Sequence, residues 1–318
     1  MKLRQALSIV LALALSLSCK EKDPGPKPFP MPNVPSMVAA SGNVQNYMVE
    51  HFWQPFFAED RVYSKDTSLI GGVTREAFQE AFVNYATLLL SADINKGLEA
   101  QKYLLTEAGK MEAANPDSKV WESVLSICDV MLYDPQSIIR NEEMYIPVEE
   151  ARVASPFTTD EEKADAAALL TRLKKNRLGT PAADFAFTQL NGRTARLYDV
   201  KADIIVMLFS NPGCENCKAV IDQLRAMPGL DELIASGKLA IVNVYPDADL
   251  DEWRNYASIY PKNWYNGYNG DLDVAGGLYN LRAIPSLYVL DEKKNVVFKD
   301  VDPVILVQYL NSAIAAAR

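Results

Sequence analysis

Histidine is almost absent from this chain, since His51 is the single imidazole among 318 residues. A His-rich metal site or a Ser–His or Cys–His nucleophile pair therefore has almost no material. Four cysteines in this length do not make a disulfide-stapled scaffold. Basic runs are also lacking, because 32 Lys and Arg face 41 Asp and Glu, a net charge of −9. Such an acidic chain is a poor binder of polyanions, so we expect no nucleic-acid partner.

The N-terminus has the pattern of an export signal. Two cations precede an apolar run over residues 6–17. The run holds about twelve residues, too few for a bilayer span of roughly twenty. It predicts a signal peptide over residues 1–18. Ordinary secretion would leave Cys19 as a free thiol, but a Cys directly after the cut is typical of bacterial lipoproteins and predicts lipidation of Cys19.

Two residues beside this cysteine bear on the lipoprotein prediction. Ser16 stands where such signals usually carry Leu, so the match is imperfect. Lys20 stands where inner-membrane lipoproteins often carry Asp, which favours the outer membrane. We therefore expect a lipid-anchored protein of the cell envelope, with the leaflet open.

A proline-rich stretch follows over residues 19–36. Six prolines in twelve residues favour an extended chain without a packed core. About seventeen such residues would hold a folded domain about 50 Å from the membrane. The sequence therefore predicts a tether, with an inconsequential tail as the alternative. The prolines are Pro24, Pro26, Pro28, Pro30, Pro32 and Pro35.

Residues 37–178 show helical periodicity and predict an all-α domain, one of about two that the length allows. Three stripes of apolar residues start near Val44, Phe78 and Trp121, and we interpret them as core. Cys128 lies on the third stripe, which predicts an inert buried thiol. His51 lies on the first, as a core or half-buried residue. A capping box, Thr158 with Glu161 or Thr159 with Glu162, predicts a helix running to about Lys175.

Residues 179–318 alternate strands with helices. Asn191-Gly192 is a turn between two short strands, and the turn Asp291 to Asn295 predicts a second hairpin. Apolar runs over 203–209 and 239–245 predict buried strands. Asp302-Pro303 is typical of a helix start. Strands alternating with helices predict a largely parallel sheet with helices on both faces.

The sequence Cys214-Glu215-Asn216-Cys217 follows a buried strand and opens a helix. A helix N-terminus stabilises a thiolate at the first cysteine. The second lies one turn on, within reach of a disulfide with the first. The pair is also half of a zinc site, but the other ligands are lacking, so no metal is expected.

The last 140 residues resemble the thioredoxin superfamily, and within it the envelope thiol–disulfide oxidoreductases of the TlpA and ResA type. This resemblance implies an α/β thioredoxin-like fold, with a central mixed sheet and helices on both faces, preceded here by the all-α domain. It implies that Cys214 and Cys217 are catalytic, and that Ile284 and Pro285 form a cis-proline loop that binds substrate. No cofactor is expected. The resembling stretches are Gly179 to Phe185, Asn191-Gly192, Leu208-Phe209, Arg282 to Leu287 and Val289 to Asp291.

The helical half resembles an uncharacterised domain of bacterial lipoproteins with the same layout. That resemblance brings no known activity. The stretches are His51-Phe52-Trp53, Tyr133-Asp134-Pro135, Arg140-Asn141-Glu142 and Lys175 to Gly179.

Several positions depart from the thioredoxin pattern. Leu208 stands where thioredoxins have a buried acid, and Asn211-Pro212-Gly213 replaces their Trp-containing lead-in. Glu215 opposes a Cys214 thiolate and Lys218 favours it, which leaves the redox potential open. Asn211 also stands where a peroxiredoxin has Thr or Ser, so peroxidase chemistry is disfavoured.

These observations predict a membrane-tethered oxidoreductase that acts on protein thiols and disulfides and is recycled by a redox partner. The alternative is a non-catalytic binding or scaffold lipoprotein that uses the thioredoxin-like half as a platform, which the missing acid favours.

Overall fold

The computed structural model describes residues 25–58, 68–247, 249–269 and 277–317. The predicted signal peptide (1–18) and the predicted lipid site at Cys19 lie outside the described residues. Among the helices that the structure describes, none combines the length and the apolar character needed to cross a bilayer.

The first half of the chain is helical, as predicted. The helices in its described part are α1 (Ser36–Ser41), α2 (Val44–His51), α3 (Gln54–Ala58), α4 (Arg75–Leu89), α5 (Ile94–Ala114), α6 (Val120–Cys128), α7 (Glu142–Ala154) and α8 (Asp160–Leu173). The three predicted stripes lie on α2, α4 and α6. A π-helical segment, Asp129–Tyr133, continues α6. Of the two possible capping boxes, Thr159 with Glu162 is the one that forms.

Aromatic side chains form the core of this half. Trp53 lies at the centre, with its ring 5.5 Å from that of Phe52 and 5.6 Å from that of Tyr85. Cys128 is fully buried in the same core. His51 is half-buried and its Nδ1 lies 2.8 Å from Gln54 Oε1. The interpretation as core is therefore confirmed for the second and third stripes, whereas Val44, at the start of the first stripe, is 36% exposed.

The described part of the proline-rich segment packs against the helical half. Phe29 stacks on Phe56 with ring centroids 5.3 Å apart. The amide of Lys27 donates to the carbonyl of Gly72 at 2.8 Å. The prediction of an extended stretch without packing contacts is wrong here, because the proline run carries one aromatic side chain that fills a gap between the helices.

The second half carries all the strands of the main sheet. Its elements are β1 (Ala186–Gln189), β2 (Thr194–Arg196), β3 (Ile204–Phe209), α9 (Glu215–Arg225), α10 (Leu230–Ala235), β4 (Leu239–Tyr245), α11 (Leu250–Tyr256), β5 (Tyr265–Tyr268), β6 (Ser286–Asp291), β7 (Val296–Phe298) and α12 (Pro303–Ala317). Both predicted hairpins form, and α12 begins at Pro303.

The strands lie in the order β2-β1-β5-β4-β3-β6-β7. Only the pairs β3–β4 and β4–β5 are parallel, and the other four are antiparallel. The expectation of a largely parallel sheet is therefore wrong, whereas the mixed sheet of the resemblance is confirmed. The hairpins add antiparallel neighbours on both sides, and β5 is a short strand that the apolar pattern does not reveal.

The sheet separates two apolar cores. One contains side chains of α9, α10, α11 and α12. The other contains the first hairpin and the 3₁₀ helix Leu197–Asp199. The fold class, a mixed central sheet with helices on both faces behind an all-α domain, is confirmed.

Candidate active site

The cysteine pair lies where β3 ends and α9 begins. The chain turns through residues 210–213, and Gly213 has a φ of +71° that a side chain would rarely adopt. A Cβ there would also lie 3.4 Å from the hydroxyl of Tyr256. Cys214 is the N-cap of α9, so its sulfur faces the free amides of the first turn. The sequence prediction for this junction is confirmed.

The two sulfurs occupy different environments. Cys214 is half-buried, whereas Cys217 is 2% exposed, and both are free thiols. The amide of Cys217 donates to Cys214 Sγ at 3.2 Å. The Cys214 thiol lies 3.9 Å from the carbonyl oxygen of Ile284. The Ile284–Pro285 peptide is cis. The structure therefore brings Cys214, Cys217 and the Ile284–Pro285 loop together.

Cys217 is held in its neutral form. Burial, the largest cause, and the hydrogen bond with Cys214 together raise the pKa of its thiol to about 12, although a backbone hydrogen bond at Asn211 acts to lower it. This asymmetry makes Cys214 the sulfur that meets an incoming molecule. Cys217 can attack only after it loses its proton.

The position of the missing acid is filled by an apolar side chain. Leu208 is fully buried in the helix-covered core, opposite Asn243 on β4 and Leu287 on β6. No carboxylate replaces it at this position.

A buried chain of neutral polar groups lies beside Leu208, which the sequence analysis missed. The side-chain nitrogen of Asn266 donates to the carbonyl of Pro261 at 2.7 Å. The side-chain oxygen of Asn266 accepts from Asn243 at 3.2 Å. The Asn243 oxygen then accepts from Ser210 at 2.5 Å. Two buried asparagines on neighbouring strands are the signal that could have found this chain.

This series of hydrogen bonds ends at a tyrosine beside the cysteines. Ser210 also shares a hydrogen bond with Tyr260. Burial is the largest effect on Tyr260 and raises its pKa to about 12, although hydrogen bonding with Ser210 acts to lower it. Tyr260 lines a cavity of about 150 Å³ together with Cys214 and Cys217.

Two charged residues near Cys214 on α9 are Lys218 and Glu215. Lys218 is exposed and forms an ion pair with Asp222 one turn further along α9. Its positive charge is therefore shared with a carboxylate. Glu215 is exposed on the first turn of the same helix. Over the described ranges, no group of three or more His, Cys, Asp or Glu side chains is arranged to hold a metal ion.

Comparison with known proteins places the chain in a family. A crystal structure described as a thioredoxin-like protein from Bacteroides caccae is 34% identical, with a TM-score of 0.76, covering 90% of this chain and 99% of its own. The family model called domain of unknown function DUF5106 matches residues 8–176. The chain belongs to the DUF5106 family. Its second half has the thioredoxin-like fold.

Two other solved structures match less than half of the chain. The C-terminal domain of an uncharacterized protein from Bacteroides fragilis is 40% identical over 43% of this chain and 98% of its own, with a TM-score of 0.41. The thioredoxin domain of a thiol-disulfide oxidoreductase from Bacteroides vulgatus is 18% identical over 43% of this chain and 98% of its own, with a TM-score of 0.39. No curated protein matches significantly. The DUF5106 domain itself thus comes without a known role.

Proposed function

We propose that this DUF5106 protein is a thiol–disulfide oxidoreductase of the TlpA and ResA type, acting on protein disulfides in the cell envelope. One observation carries the proposal: two free thiols lie one turn apart at a helix N-terminus, and the first of them, Cys214, lies against the carbonyl of Ile284 in a cis-proline loop. The similarity to a thioredoxin-like protein over nearly the whole chain supports it.

In the first step, the Cys214 thiolate attacks one sulfur of a substrate disulfide. The substrate S–S bond breaks, a mixed disulfide forms with Cys214, and the leaving sulfur takes up a proton. The amides of the first turn of α9 stabilise the attacking thiolate. The backbone at Ile284 lies beside Cys214 and pairs with an extended substrate segment by strand addition.

In the second step, Cys217 loses its proton and attacks Cys214 Sγ. The mixed disulfide breaks, the second substrate sulfur leaves as a thiol, and Cys214–Cys217 becomes the disulfide. The substrate has gained two electrons and the protein has lost two. A redox partner restores the dithiol, and with the opposite difference in potential the same steps run in reverse.

Insulin reduction by the wild type and by Cys214→Ser tests this proposal. We expect turnover by the wild type and none by the variant, because the attacking sulfur is removed. Cys217→Ser is the matched control, since it keeps Cys214 and should trap a mixed disulfide with insulin. Equal rates for the wild type and Cys214→Ser would refute the activity and favour the platform function.

We also propose that a lipid on Cys19 anchors the chain, in the outer membrane. Since the chain packs from about Lys27 onward, the segment from Cys19 to Lys27 sets the reach, and eight residue steps span at most about 29 Å. The domain would therefore lie closer to the bilayer than a free proline tether allows. Detergent phase partitioning tests the anchor: Cys19→Ser should move the protein from the detergent phase to the aqueous phase.

A further inference from the structure

Four charged side chains are buried together where the DUF5106 domain meets the thioredoxin-like half. Glu142, at the start of α7, lies 3.0 Å from Arg282 Nε through one oxygen and 2.7 Å from Lys299 Nζ through the other. Arg282 also forms an ion pair with Asp300. The side chains of these four residues are 3–8% exposed. Two positive charges thus face two negative charges, and Arg140 of the helical half adds a third positive charge 3.6 Å from Asp300.

Arg282 is held by the helical domain in a second way. Its guanidinium lies 4.6 Å from the ring centroid of Tyr133, in the π-helical segment that follows α6. The Tyr133 ring stacks in turn on Tyr145 of α7 at 4.7 Å. A cation over an aromatic face is attracted to it, more strongly when both are desolvated. The helical domain therefore supplies both an anion and an aromatic face to one arginine.

This arginine belongs to the loop that meets the cysteines. Arg282 is two residues before Ile284, whose carbonyl lies against Cys214. On the far side of the cis-proline, Ser286 donates to Asp300 at 3.1 Å. Asp300 thus holds both ends of the loop, and Glu142 fixes the arginine that pairs with it.

We infer that the DUF5106 domain is a positioning part of the redox site, with Glu142 and Tyr133 as positioning residues that hold the cis-proline loop against Cys214 through Arg282. This inference rests on the proposed function. It assigns the helical domain a role in presenting Ile284 to an extended substrate protein. The chemistry at the sulfurs stays with Cys214 and Cys217.

A neighbouring ion pair provides a control that distinguishes positioning of the loop from simple attachment of the two halves. Glu143, next to Glu142 and equally buried, pairs with Arg177 at 2.6 Å. Arg177 lies in the connection between the two halves, and among the described residues its ion pair is with Glu143 and not with the loop. Removing either carboxylate weakens the contact between the halves, but only Glu142 touches Arg282.

Hydrogen exchange of the full chain, comparing Glu142→Gln with Glu143→Gln, tests the inference. The readout is the peptide spanning residues 282–290, which joins the loop to β6. We expect exchange about tenfold faster at the start of β6 in Glu142→Gln, and wild-type exchange in Glu143→Gln. If Glu142→Gln does not fold, Tyr133→Leu removes the ring without leaving a buried charge unpaired, and should loosen the same peptide.

The two variants should also differ with a protein substrate. Glu142→Gln should raise the KM for insulin about fivefold with kcat within about twofold, and leave alkylation of Cys214 by iodoacetamide unchanged, since a small reagent does not need the loop. Equal exchange of the loop peptide in both variants would overturn the inference. A wild type that fails to reduce insulin refutes the proposed function instead, and the exchange comparison still decides whether Glu142 positions the loop.

Discussion

Limited alkylation of the reduced protein should modify Cys214 and spare Cys217. The perturbation is a pulse of iodoacetamide at pH values from 6 to 11, with each cysteine assigned by peptide fragmentation in a mass spectrometer. Only the thiolate reacts, so the rate at each site follows its ionised fraction and its exposure.

The magnitude follows from the burial of Cys217. With a pKa of about 12, its thiolate fraction at pH 8 is about 10⁻⁴. An ordinary cysteine with a pKa of about 8.5 is about one-quarter ionised there. Cys217 should therefore react about two thousand times more slowly than an exposed cysteine, before its 2% exposure is counted.

The alkylation rate of Cys217 should increase with pH over the whole range. Cys217 stays a thiol below about pH 12, so its rate should rise about tenfold per pH unit through the whole range. An exposed cysteine would level off above about pH 9.5. Cys128, fully buried in the helical half, is an internal control for global unfolding. A Cys217 rate that levels off below pH 10, with Cys128 unlabelled, would refute the reasoning.

Three substitutions test the packing. Gly267→Ala should lower the free energy of unfolding in urea by about 1–3 kcal/mol, because its Cβ would lie 2.4 Å from the buried Phe187 ring. Gly109→Ala, inside α5 and 3.7 Å from Trp121, should raise the free energy of unfolding by about 0.5–1 kcal/mol, so a change of the same sign in both variants would contradict one of the two predictions. Phe29→Ala should lower it by about 2 kcal/mol and speed proteolysis within residues 25–35, whereas unchanged cleavage would mean that Phe29 does not hold this segment.

Local features were predictable from the sequence because neighbours in the chain decide them. The capping box of α8 needs only Thr159 and Glu162, three residues apart. The hairpin at Asn191-Gly192 depends on one turn in which Gly192 has a positive φ. The placement of Cys214 at the N-cap of α9 follows from an apolar run that ends just before the CxxC.

Features that depend on distant partners were missed or predicted wrongly. Phe29 lies among prolines, a composition that is typical of a free tether. Only the packed helical core shows that its ring has a site to pack against. The direction of β6 beside β3 depends on a crossover rather than on alternating strands and helices. Whether a strand pairs parallel or antiparallel is not encoded in its own hydrophobic pattern.

The sequence by itself determined the two-part layout, the reactive pair at a helix start, the single imidazole in the helical half and the Leu208 that stands at the position of the thioredoxin acid. Only the tertiary structure decided how differently the two sulfurs are buried, and that Glu142 meets Arg282 although they are 140 residues apart in the sequence. The physical reason is that burial and charge pairing belong to the packed state. A carboxylate on α7 and a guanidinium beside the cis-proline have complementary charges in any chain, but they stabilise each other here because folding removes both from water together.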